Sequence, residues 1–169
     1  MKDSLKDYLF EASNRGFIGE NETNKALEIS KAFSDIVSGG VYTNAIDLGS
    51  GIGIPGLYLA MNSNISVDYL DSNSRRTAYL KNFLLLNDVE GEVINKRYSN
   101  ASDFTKYDLI ISRGFKDHKL LVEDFNGSGS KTTVISTTTS SIPYLENQKI
   151  YRKNILGNIF YIAKTECFT

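Results

Sequence analysis

Asp47-Leu48-Gly49-Ser50-Gly51-Ile52-Gly53-Ile54-Pro55-Gly56 (DLGSGIGIPG, residues 47–56) is the stretch on which the reading of this chain turns. The apolar run Ala45 to Leu48 leads into it as a strand, and Pro55 to Met61 leaves it with a helical pattern. A strand that gives way to a helix through glycines is the opening unit of an α/β fold, and the glycines let the backbone come close to a ligand. Pro55 suits a first helical turn, where its missing N–H has no partner to lose. Asp47 then falls at the carboxyl end of the strand, the edge at which open α/β sheets bind ligands.

Outward from this turn, short apolar runs alternate with helical segments. Strands are expected at 65–70, near 92–95, at 107–111 and at 132–136, with helices at 73–86 and near 117–125. Such alternation builds a mainly parallel sheet covered on both faces. Residues 149–152 and 158–163 flank Gly157 and predict an antiparallel hairpin closing the sheet, while 126–130 and 137–141 are expected to be polar turns. Upstream, Leu5, Tyr8, Leu9 and Ala12, then Ala26, Ile29, Phe33 and Val37, recur at helical spacing. Gly39-Gly40 ends the second helix. The expectation is a single domain over 1–169, with a helical layer over 1–40 and a ligand-binding core over 41–169.

Composition narrows the chemistry. Apolar residues are 41% and charged residues 23% of the chain, the balance of a soluble globular protein. No run is long enough to span a bilayer, and the N-terminal residues lack the apolar core of a signal peptide, so a cytoplasmic location is expected. Cys167 and His118 are single, which excludes thiolate metal sites and Cys–His nucleophile pairs, and no metal is expected. His118 is read as a solvated or capping residue. A net charge of −1 confines any nucleic-acid contact to a local patch.

Asp71 ends the second strand, 24 residues after Asp47, where a carboxylate can accept hydrogen bonds from ribose hydroxyls. Gly51 to Gly56 matches the GxGxxG of dinucleotide-binding proteins, and Asp47 to Gly53 matches the DxGxGxG of class I methyltransferases. Asp71 does not separate the two. A carboxylate at Asp47 can face an ammonium group, which S-adenosylmethionine (SAM) carries and NAD does not, and this favours SAM.

Three blocks in order carry a family resemblance. DLGSGIGIPGLYLA (47–60), LDSNSRRTAYLKN (70–82) and YDLIISRGF (107–115) resemble the RsmG (GidB) family, which methylates guanine N7 in small-subunit ribosomal RNA. Arg76 falls on the arginine of the second block. A weaker likeness extends forward to residue 13. The resemblance implies a Rossmann-like class I methyltransferase fold, with a seven-stranded, mainly parallel sheet, a C-terminal antiparallel hairpin and N-terminal helices. It implies SAM contacts from Asp47, Gly49, Ser50, Gly51, Gly53, Gly56, Asp71, Ser72 and Tyr98. It places Arg76 and Arg113 on the side of the substrate, ribosomal RNA, met within a small-subunit particle because the protein itself is not basic. Departures from the family pattern are Arg97 to Asn100, where an acidic pair is usual, a missing Lys-Gly after the fifth strand, and Gly157-Asn158 near the place of an arginine. Two other readings stay open: a methyltransferase of a small molecule, favoured by those departures, and a SAM-binding module without catalysis.

Overall fold

The computed structural model describes residues 2–20, 22–126, 128, 131–138, 145 and 147–167. In chain order the elements are α1 (Lys2–Asn14), α2 (Glu22–Val37), β1 (Asn44–Leu48), α3 (Gly56–Asn62), β2 (Ser66–Asp71), α4 (Ser74–Leu86), β3 (Val93–Asn95), a 3-10 turn (Ala101–Phe104), β4 (Leu109–Ser112), α5 (His118–Phe125), β5 (Thr132–Thr138), β6 (Gln148–Ile155) and β7 (Asn158–Cys167). The strands form one seven-stranded sheet in the order β3-β2-β1-β4-β5-β7-β6. β1 to β5 are parallel, and β7 runs antiparallel to both β5 and β6. Strand order reverses between β1 and β4, which stay paired to Leu48 and Ser112, and the crevice of a switch point lies beyond those carboxyl ends.

Successive strand residues point to opposite faces, and the two cores follow that period. Ala45, Leu109 and Ile111 face the side covered by α1 to α4, where Leu5, Leu9, Phe33, Leu57 and Leu80 are buried. Ile46, Leu48 and Ile110 face α5, against Leu121, Val122 and Phe125. Asp47 points with Ala45 into the first of these layers, and this is why a carboxylate sits among apolar side chains.

Several boundaries differ from expectation for local reasons. The first helix after β1 begins at Gly56, with Pro55 as its N-cap following a cis Ile54–Pro55 bond. β4 begins at Leu109 because the Tyr107 N–H donates to the Phe104 carbonyl at 3.1 Å, closing the 3-10 turn instead of joining the sheet, and the Asp108 carboxylate accepts the Thr43 and Asn44 N–H groups at the entry to β1. Thr137 and Thr138 extend β5 against Ile162 and Tyr161, so the polar turn expected there starts later; 139–141 lie outside the described residues, as do Gly127, Gly129 and Ser130. The hairpin is longer than expected and turns at Leu156-Gly157, both with positive φ (50° and 80°), as two-residue hairpin turns of this hand require. No helix among the described residues is long and apolar enough to cross a membrane.

His118 corrects the reading of it as solvated or capping. It is fully buried, and the N-cap is Asp117, whose carboxylate accepts the Lys119 N–H. Its Nδ1 lies 2.7 Å from Ser136 Oγ and its Nε2 2.8 Å from Thr165 Oγ1, so the ring bridges α5 to β5 and β7. Burial lowers its pKa to about 4, outweighing the pull of Asp117. A base with a depressed folded pKa contributes stability above its unfolded pKa of about 6.5, and that contribution is lost as pH falls toward 4, up to about 3 kcal/mol. Urea unfolding at pH 7 and pH 4.5 is expected to show a smaller difference in stability for His118→Gln than for the wild type. An equal difference would remove His118 as its source.

Candidate functional site

The site is built where β1, β2 and β4 end together. After Leu48 the chain folds back over the tip of β2: the N–H groups of Gly49 and Ser50 both donate to the Leu70 carbonyl, at 2.8 and 3.0 Å, and the Gly53 N–H donates to Ser50 at 2.7 Å. The Gly51 N–H donates to Asp71 Oδ2 at 2.8 Å. Gly51 has φ 59°, which an L side chain rarely adopts, and a Cβ there would meet only Arg76, 4.0 Å away. The backbone is thus bare on its outer side at the point where a ligand would approach it.

Asp47 lies beneath this turn with no exposed surface. Its Oδ2 accepts the Gly56 N–H at 2.8 Å, and its Oδ1 is buried without a partner among the described residues. Burial pushes the carboxyl up to about 7, opposed by the Gly56 N–H and the Arg113 charge and aided by Asp71. Ser50 Oγ and the hydroxyl of Tyr69, which pairs with Asp47 across β1 and β2, are also buried without partners. Three unpaired polar atoms around one glycine turn are the sign of a site shaped for a polar ligand group, since such atoms are otherwise costly.

Beyond the turn opens a cleft of about 390 Å³, lined by Gly49, Leu70, Asp71, Ser72, Lys96, Arg97, Tyr98, Phe115 and Lys116. Asp71 Oδ1 accepts the Asn73 N–H at 2.7 Å, so each oxygen of this carboxylate is anchored by one backbone donor and keeps a lone pair. The opposite wall is tied together: Tyr98 stacks on Phe104, meets Phe115 edge-on at 5.7 Å, and donates its hydroxyl to Asp124 at 3.0 Å. Lys116 Nζ donates to the same Asp124 oxygen. Phe115, 39% exposed, lies over Gly49 so closely that a Cβ there would sit 2.6 Å from it. A larger surface groove of about 770 Å³ beside Leu84, Leu85, Val89 and Val93 contains none of the glycine turn.

Of the residues singled out from the sequence, Gly49, Asp71, Ser72 and Tyr98 line the cleft. Asp47, Ser50, Gly53 and Gly56 are buried under it as its framework. Gly51 and Arg76 stand together at its edge. Arg113, half-buried at the end of β4, feels opposing influences: burial lowers its pKa, while the Asp47 and Glu22 carboxylates raise it. Near the cleft, Lys96, Lys116 and Lys119 are paired with Asp103, Asp124 and Glu123, while Arg97, in its lining, has no ion pair among the described residues. Sequence reasoning missed Tyr8, whose hydroxyl donates to the Ile52 carbonyl at 2.8 Å, and Tyr69, Glu22 and Asp124. No spacing signals these, because their partners are distant in the chain. Among the described residues no group of His, Cys, Asp and Glu could hold a metal ion.

The fold is that of Rossmann-like methyltransferases. Similar solved structures include a mutant of MtNAS in complex with S-adenosylmethionine (TM-score 0.66, 10% identity, covering 96% of this chain and 73% of that one). Another is a tRNA uracil methyltransferase of Pyrococcus abyssi in complex with S-adenosyl-L-homocysteine (TM-score 0.58, 19% identity, 84% and 38%). In sequence, the chain is 31% identical over 125 residues to the ribosomal RNA small subunit methyltransferase G of Brachyspira hyodysenteriae, covering 72% of this chain and 59% of the relative. It is 39% identical over 67 residues to the protein of that name from Orientia tsutsugamushi strain Boryong, covering 40% and 33%. The chain thus spans from a third to about three-fifths of the length of these curated relatives. The family model GidB, rRNA small subunit methyltransferase G, matches residues 17–148, and the chain belongs to that family.

Proposed function

We propose that the chain is a SAM-dependent methyltransferase that modifies guanine N7 of small-subunit ribosomal RNA, acting in the cytoplasm on a partly assembled particle. Residues 1–40 and 41–169 serve as the helical layer and the core of one catalytic domain in this reading. The observation that carries it is the half-satisfied Asp47 carboxylate under the glycine turn of a GidB-family chain, with Arg113 beside it.

The donor set fits SAM. The free Asp47 oxygen and Ser50 Oγ suit an ammonium group, and the Asp71 lone pairs suit ribose hydroxyls. Ser72 and the ring of Tyr98 wall the cleft, and the Tyr98 hydroxyl is already committed to Asp124. SAM, when bound, supplies an electrophilic methyl on sulfur. Guanine N7 has a lone pair and no proton, so the protein needs no general base, which agrees with a lone histidine held in the core. What is left to the chain is positioning, which can contribute roughly 7–11 kcal/mol. Arg113 is assigned to hold the guanine O6 edge, and Arg76, beside Gly51, to anchor a phosphate.

An ammonium beside Asp47 favours its ionised form, so SAM affinity should rise roughly fivefold between pH 6 and pH 7.5 as the group titrates near 7. In the free protein the same raised pKa acts in the other sense: its stabilising contribution is complete below about pH 4 and is lost as pH rises through 7. Calorimetric titration with SAM at several pH values should show this slope in the wild type and not in Asp47→Asn; a flat wild-type profile would place the ammonium elsewhere.

Arg113→Ala should lower transfer of radiolabelled methyl to undermethylated small subunits and naked ribosomal RNA by about a hundredfold, the range for one transition-state contact. Its SAM affinity should change by less than about fivefold, as expected of a group on the substrate side. Label should be recovered as N7-methylguanine. SAM binding with no RNA labelling would favour a small-molecule or non-catalytic role, and NAD binding without SAM binding would overturn the proposal.

A further inference from the structure

Residues in and beside the link between α1 and α2 reach toward α4 and toward Arg113. Phe17 packs against Tyr79 of α4 with ring centroids 5.0 Å apart. The Arg75 guanidinium lies over the Phe17 ring, 5.7 Å from its centroid, and that of Arg15 lies over Tyr79 at 5.6 Å. Glu22 opens α2 and its charge acts on Arg113. The half-buried Arg76, next to Arg75 on α4, runs past Gly51 at the edge of the cleft.

Charge separates Arg75 and Arg76 from the lysines on the other rim, where the exposed Arg97 is likewise without a carboxylate partner among the described residues. Lys96, Lys116 and Lys119 each have a carboxylate within 4 Å. Arg75 and Arg76 have none among the described residues, and Arg15 spends only its Nε on Glu11, at 2.8 Å, with the side chain 57% exposed. A planar guanidinium over a ring gains an aromatic partner and keeps its remaining N–H groups for an anion. Such planes suit a polymer that alternates phosphates with aromatic bases, because the edges bind phosphate and the faces accept a stacked base. An acidic peptide would use the charge and leave the planes idle.

We propose that Arg15, Arg75 and Arg76, backed by Phe17 and Tyr79, form a docking face for single-stranded RNA that leads to Arg113. The proposal rests on the reading of the substrate as RNA and is independent of the cofactor.

The test is fluorescence anisotropy of a labelled single-stranded RNA oligonucleotide over a range of salt concentrations, without SAM. Wild type is compared with Arg15→Gln/Arg75→Gln, Arg75→Lys, and the control Arg152→Gln on β6. Removing one arginine from a phosphate should lower the slope of log affinity against log salt by about one, so the double variant should lose between one and two. Its affinity should fall roughly fivefold or more at moderate salt, the scale of one or two surface cation contacts. Arg75→Lys should keep the slope and lose affinity, because lysine keeps the charge without the plane. Arg152→Gln should match the wild type, and SAM titration should be unchanged in every variant.

Equal slopes for the double variant and Arg152→Gln would overturn the proposal. Competition by poly-L-glutamate at equal charge concentration as strong as that by unlabelled RNA would also overturn it, in favour of a protein partner. RNA binding that depends on these arginines in a protein that does not bind SAM would sink the methyltransferase reading and sustain this one. SAM binding without RNA binding would do the reverse.

Discussion

Asp47 stands on β1 with no surface in water, and the N–H it accepts comes from Gly56, the first residue of α3. That bond closes the glycine turn from below, while the Gly51 N–H to Asp71 closes it from the side. The two carboxylates therefore fix the turn between the ends of β1 and β2 before any ligand is present. A buried carboxylate with only one donor is costly as an anion, and a pKa near 7 is how the protein lowers that cost. The nearby Arg113 charge partly offsets it. Removing either the carboxylate or the guanidinium would thus change the state of the other.

The face that holds this arrangement was legible in the sequence because strand periodicity and the glycine spacing point to the same place. Ala45 to Leu48, the turn, and Asp71 at the end of β2 emerged where local pattern put them, and the hairpin around Gly157 was visible from its flanks. His118 was misread because its partners, Ser136 and Thr165, lie 18 and 47 residues away. A histidine beside an N-capping aspartate looks like a surface residue when only neighbours in the chain are considered. The β4 boundary slipped for another reason: the Tyr107 N–H closes the 3-10 turn on Phe104, a bond that no apolar pattern reports. In the cleft, Gly49, Asp71, Ser72 and Tyr98 lie together. Asp124, which holds Tyr98 and Lys116 from α5, has no motif of its own.

The rim carries charge that composition alone conceals. A chain of net charge −1 looks unsuited to a polyanion. Its lysines at the cleft, Lys96 and Lys116, and the neighbouring Lys119 are paired with acids, so what acts outward is arginine: Arg97 in the cleft lining, and Arg75 and Arg76 on the side of α4. Guanidinium groups are weakly hydrated and keep their shape when stacked, so a few of them in one place do more for recognition than a larger number of paired lysines.

The Tyr8 hydroxyl donates to the Ile52 carbonyl within the glycine turn, and the Tyr79 hydroxyl donates to the carbonyl of Tyr8 itself. The first helix is thereby latched to the backbone that would meet a ligand and to α4. Its docking and ligand affinity are then two sides of one thermodynamic cycle. Any fraction of molecules in which α1 has come away is subtracted from the binding-competent population, and a ligand that prefers the latched turn draws the helix home in return.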